Sequence, residues 1–155
     1  MHFTPTKLAL LLLSCVLTGY AWQATHPANA GARTQAKDAS ARVLPNGVGA
    51  AYLRLLNRSA EPDQLLSVSS PWARSAELHE VVAEGELLRM VPHPDGFAVP
   101  ARGSLELSVG GKHVMLYGVK LPRGATELPL TLHLRRAGAL EVRVPLSSLA
   151  GEVGP

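Results

Sequence analysis

Short runs of alternating apolar and polar residues, with no convincing helical period between them, most constrain what this chain can fold into. Leu105, Leu107 and Val109 alternate with Glu106 and Ser108. Leu130, Leu132 and Leu134 alternate with Thr131, His133 and Arg135, and Leu140, Val142 and Val144 alternate with Glu141 and Arg143. A period of two places the apolar set on one face of a half-buried strand. Turn residues punctuate the runs. Glu84-Gly85 separates "RSAELHEVVAEG" from "ELLRMVP" as a hairpin, and Gly110-Gly111 reads as a second hairpin-type turn before "KHVMLYGV". "GFAVPARG" is short and broken by Pro100, which suits a sheet edge. Seven to nine short strands at this spacing predict an all-β fold, either an Ig-like β-sandwich or an open barrel.

The chain divides into three parts. Residues 1–30 read as an export signal, with Lys7 as the positive region and Leu8 to Leu17 as the apolar run. Two processing sites compete. Leu12-Leu13-Ser14-Cys15 resembles a bacterial lipobox, which would lipidate Cys15 and tether the protein to a membrane. Ala28-Asn29-Ala30 is a small-residue cleavage site that would release a free protein. Either route puts the domain in the periplasm or on the outer face of the cytoplasmic membrane. Residues 31–46 are small and polar, and predict a linker with a short strand beginning at Arg42. Residues 47–150 form the β-domain.

Composition removes several functions. The net charge of +3 comes without a clustered run of Lys or Arg, so nucleic-acid binding is not expected. Cys15 is the only cysteine, so the folded domain has no disulfide and no thiol. That excludes a blue-copper electron carrier, which needs a cysteine thiolate beside two histidines. No nucleophile elbow appears, and His79-Glu80 is followed by Val81, Val82 and Ala83 rather than by a second zinc-binding histidine. No enzyme is expected.

The chemistry-bearing residues concentrate between His79 and Met115. Only three methionines occur, and apart from Met1 both lie here, as Met90 and Met115. A lone His on a strand is more often structural than a ligand, and a lone Met more often fills core. Here Leu and Val already do the core work, so the sulfur itself becomes the point of interest. Thioether is soft and selects Cu(I), and imidazole suits copper as well. Both ligands are neutral, so His79, Met90, His113 and Met115 could form a carboxylate-free site for Cu(I). His113 and Met115, two apart on a strand, would share a face. His93 in its "HPDG" turn and His133 among the leucines are expected to face solvent and not to be primary ligands.

The spacing of these four resembles a known signature. His79, ten residues, Met90, twenty-two residues, His113, one residue, Met115 is similar to the copper-binding motif of the periplasmic PCu(A)C copper chaperones, the DUF461-like family. The flanking words "AAYLRLLN", "AELHE" and "MVPHPDGFAVPARGSLELSVGGKHVMLYG" match too, over about residues 47 to 146. One departure is plain: many members carry extra methionines where this chain has Val81, Val82, Leu87 and Leu88. The resemblance implies a cupredoxin-like fold and His79, Met90, His113 and Met115 as Cu(I) ligands. It also implies delivery to the dinuclear copper centre of cytochrome c oxidase subunit II, with a Sco-type thiol protein as co-worker. The competing readings are copper storage or resistance, and a metal-free Ig-like structural module.

Overall fold

The computed structural model describes residues 33–147. The expected export signal, Cys15 and the last residues of the expected 47–150 domain lie outside them. Ten strands run in chain order: β1 (Thr34–Val43), β2 (Gly49–Asn57), β3 (Asp63–Ser69), β4 (Ser75–Glu84), β5 (Leu87–Pro92), β6 (Phe97–Val99), β7 (Gly103–Leu107), β8 (Lys112–Tyr117), β9 (Glu127–Leu134) and β10 (Gly138–Pro145). No helix occurs among the described residues. The all-β expectation therefore holds.

The strands form two sheets. One has the order β1-β2-β8-β4-β5, with β7 also paired to β2, and the other the order β10-β9-β3-β6. Alternation builds the core between them. Ala51, Leu53 and Leu55 of β2, Val114 and Leu116 of β8, and Leu128, Leu130, Leu132 and Leu134 of β9 are buried. The residues between them turn away, as period two requires. Along one side the sheets meet: the Ser147 N–H donates to the Ala41 carbonyl at 2.8 Å, beside an isolated parallel bridge between Ala41 and Leu146.

Two expectations are corrected. The first is the linker at 31–46. Thr34–Val43 is a full strand of the larger sheet, paired antiparallel with β2 from Thr34↔Asn57 to Val43↔Gly49. Its composition hid it because only Thr34 and Ala41 are buried, and because a bulge interrupts the alternation. Asp38 sits in that bulge at φ 53, a left-handed conformation that Asp tolerates better than most residues.

The second is the hairpin at Gly110-Gly111. β7 and β8 do not pair with each other; both run antiparallel to β2, along successive stretches of one edge. β7 faces Leu53 to Asn57 and β8 faces Gly49 to Ala51. The chain makes a small excursion between them, closed by the Ser108 N–H to the Lys112 carbonyl at 2.7 Å, and then resumes its direction. A Gly pair supplies a positive φ, here 76° at Gly110, but does not by itself reverse a strand. β8 emerges from the excursion between β2 and β4, with both its edges paired.

The "HPDG" segment carries the chain from the larger sheet to the smaller one. Gly96 N–H donates to the His93 carbonyl at 3.0 Å, closing a turn with Pro94 and Asp95 at its corners. Gly96 has φ 79, and a Cβ there would lie 2.0 Å from the Leu65 carbonyl oxygen. Only glycine fits, because β3 passes directly against the turn.

A candidate metal centre on the outer face of the larger sheet

Register decides which side chains can meet. On β4 and β8, His79 pairs with His113 and Glu77 with Met115. On β4 and β5, Val81 pairs with Met90 and His79 with Pro92. Directly paired residues share a face, and so do residues two apart on a strand. His79, Met90, His113 and Met115 therefore all stand on one face of three neighbouring strands. It is the outer face, since Leu78, Val114 and Leu116 take the core side.

The two histidines are the centre of this arrangement. Their ring centroids lie 6.1 Å apart. Both are buried, at 8% and 4% exposure, although they point away from the core. The Tyr52 ring on β2 stands 6.3 Å from the His113 ring on the same face.

Each ring has one nitrogen engaged. His113 Nδ1 lies 2.9 Å from the Gly111 carbonyl. A carbonyl only accepts, so this nitrogen carries the proton and Nε2 keeps its lone pair. The same carbonyl accepts the Val81 N–H at 3.2 Å, so the excursion at 108–111 fixes both the β4 backbone and the His113 ring. His79 is engaged the other way. Its Nε2 lies 2.9 Å from Glu77 Oε2, and its Nδ1 is buried with no hydrogen-bond partner among the described residues. A buried nitrogen lone pair without a donor costs on the order of 1–3 kcal/mol, and a soft cation is one way to satisfy it. Two imidazoles, each with one lone pair free, flanked by thioethers, fit Cu(I) by donor type.

The methionines are less closely gathered. Met115 adjoins His113 on β8. Met90 belongs to the β4–β5 hairpin and is 51% exposed. The two sit on opposite diagonals of His79, across β4. On a flat sheet their Cα atoms would be ~17 Å apart, farther than two methionine side chains and an ion can bridge. For all four to hold one ion, the hairpin must curl over the outer face. Just past its Gly85-Glu86 turn, two apolar side chains stand open, with Leu87 70% and Leu88 75% exposed.

The other two described histidines lie elsewhere. His133 is on β9 of the second sheet, with Nε2 2.9 Å from Ser69 Oγ. His93 is not the free, solvent-facing turn residue expected from its neighbours. It is half-buried, with Nε2 2.9 Å from Glu80 Oε2 and its ring 4.9 Å from that of Phe97. Glu80 also receives Lys112 Nζ at 3.0 Å, so one carboxylate ties β4, β8 and the turn together behind the two histidines. Glu77 also stands at the site, 2.9 Å from His79. Its signal was there in "AELHE", because residues 77 and 79 of one strand must share a face.

A family profile described as "Putative lipoprotein LpqE-like" matches residues 32–146. The chain belongs to the LpqE-like family. "Putative lipoprotein Lxx21020" of Leifsonia xyli subsp. xyli is 30% identical over 151 residues, which cover 94% of this chain and 90% of that protein. Among solved structures, the LpqE-like chain is similar to "CuI-DR1885" from Deinococcus radiodurans, with 31% identity and a TM-score of 0.56. That match covers 78% of this chain and 85% of that one. The copper-bound PCuAC domain of PmoF2 superposes with a TM-score of 0.60 over 75% of this chain and 93% of that one. At 20% identity it bears on the fold alone. The LpqE-like match begins at residue 32 and so includes β1, whereas the resemblance read from the motif began at 47.

Proposed function

We propose that this domain is an exported copper carrier whose cargo, Cu(I), is held by His79, His113 and Met115 and capped by Met90. One observation carries the reading: two buried imidazoles sit side by side on an outer sheet face, each with one nitrogen engaged and one lone pair left for a metal. The donor types support the oxidation state, since thioether prefers the soft monovalent ion. The Cu(I) in the name of the Deinococcus relative points the same way. The lipoprotein names of the family and of the Leifsonia relative support export, with Cys15 as the membrane tether.

Delivery follows from ligand charge. Neutral imidazole and thioether hold Cu(I) without the charge that a thiolate brings, so an acceptor built on cysteine thiolates takes the ion downhill. Cys15 is the only cysteine in the chain, and as the lipidated tether its sulfur is a thioether with no free thiol. The domain therefore cannot reduce an oxidised acceptor and needs a thiol partner of the Sco type for that step. The acceptor in this proposal is the dinuclear copper centre of cytochrome c oxidase subunit II. Mixing Cu(I)-loaded protein with the reduced soluble copper domain of that subunit should move two Cu(I) to each acceptor, and one-electron oxidation with ferricyanide should then develop the visible absorption of the mixed-valence copper centre. Mixing with the disulfide-oxidised form should not. If copper stays on the carrier in the reduced mixture, delivery is wrong and storage or resistance replaces it.

A further inference from the structure

Glu77 stands beside the candidate ligands without being one. It is two residues before His79 on β4 and the register partner of Met115 on β8, so it shares the outer face with both. Its side chain is about half exposed, whereas that of His79 is almost wholly buried. The carboxylate oxygen Oε2 lies 2.9 Å from His79 Nε2.

An ionised carboxylate can only accept hydrogen bonds. The contact therefore requires the proton on Nε2, and a neutral ring then has its lone pair at Nδ1. That is the nitrogen found buried and without a hydrogen-bond partner among the described residues. An ordinary surface pair of His and Glu would leave its other nitrogen to water. Here the other nitrogen is enclosed. His113 is locked in the opposite sense, through Nδ1 to the Gly111 carbonyl.

We propose that Glu77 is a positioning residue that fixes the tautomer and orientation of His79, so that His79 offers Nδ1 to copper while His113 offers Nε2. This deepens the copper reading and rests on it. Metal-binding histidines commonly donate their second N–H to a carboxylate or a carbonyl, which orients the ring and raises its basicity. The site has one of each: Glu77 for His79, and Gly111 for His113.

The test uses 15N-labelled protein, with and without Cu(I), and the variants Glu77→Ala and Glu77→Gln. In the metal-free protein, nitrogen NMR should find the His79 proton on Nε2 and an unprotonated Nδ1. Adding Cu(I) should shift the Nδ1 resonance of His79 and the Nε2 resonance of His113. Glu77→Ala should weaken Cu(I) binding by ~10–100-fold, the range for loss of such a partner. Glu77→Gln, whose amide can accept or donate, should fall between Glu77→Ala and the parent. Both variants should keep the parent's thermal midpoint closely, because the side chain is half exposed. A His79 proton on Nδ1, a Cu(I) shift at His79 Nε2, or parental affinity in Glu77→Ala would each overturn the proposal while leaving the copper site standing. Absence of Cu(I) uptake by the parent would overturn the copper reading, and this inference with it.

Discussion

His79 and His113 are direct partners across adjacent antiparallel strands, and they are engaged through opposite ring nitrogens. Glu77 takes Nε2 of the first and the Gly111 carbonyl takes Nδ1 of the second. The pair is buried on a face that otherwise points outward. This relationship, more than the count of potential ligands, makes the outer face of the larger sheet the place to look for function.

Unequal ligand losses are expected. His79→Ala and His113→Ala each remove a buried, oriented donor and should abolish measurable Cu(I) retention. Met115→Ala should weaken binding strongly, and Met90→Ala less, because Met90 has to come in from the exposed hairpin. His133→Ala should leave binding unchanged, since that ring is on the other sheet. Competition against a Cu(I) chelator measures the series. Equal losses for Met90→Ala and His113→Ala would show that the hairpin is already closed over the site.

Gly96 should be irreplaceable where Gly110 is not. Both have positive φ, near 79° and 76°. A Cβ at Gly96 would lie 2.0 Å from the Leu65 carbonyl oxygen, whereas at Gly110 it would meet nothing within 4 Å. Gly110→Ala should cost about 1–2 kcal/mol, the penalty of a left-handed non-glycine residue. Gly96→Ala should cost clearly more, since backbone must move. Denaturant midpoints of the two variants decide this, and similar midpoints would contradict it.

A chain that begins at Gly47 should fail to fold cooperatively, while one that begins at Gly31 should succeed. The shorter chain lacks β1. It loses the ladder to β2, the buried Ala41, and the Ser147 contact that joins the sheets. An unpaired β2 edge would also invite aggregation. Thermal unfolding of the two chains checks this. A sharp transition in the shorter chain would mean that β1 is dispensable.

The sequence was most legible where pairing did not matter. The alternation of Leu130, Leu132 and Leu134 names the buried face of β9 whatever lies beside it. The spacing of His113 and Met115 places both on one face by local geometry alone. Non-local pairing was the hidden part. Gly110-Gly111 suggests a hairpin because a turn signal does not tell which strand comes next to which; β7 and β8 are in fact both partners of β2, far upstream in the chain. That His79 faces His113 also depends on register between distant strands. β1 was missed for a different reason: an edge strand buries little, so Thr34 to Val43 carries small and polar residues, and the Asp38 bulge breaks what period remains. The turn around His93 suggests free exposure, because the sequence does not show that Glu80 and Phe97 reach it from other elements.

The most direct test of the copper reading is the Cu(I) stoichiometry of the protein, titrated under reducing conditions against a calibrated chelator with zinc measured alongside. One Cu(I) per chain is expected, with zinc not retained, and none in His113→Ala. A stoichiometry near zero, or zinc held as well as copper, would contradict it.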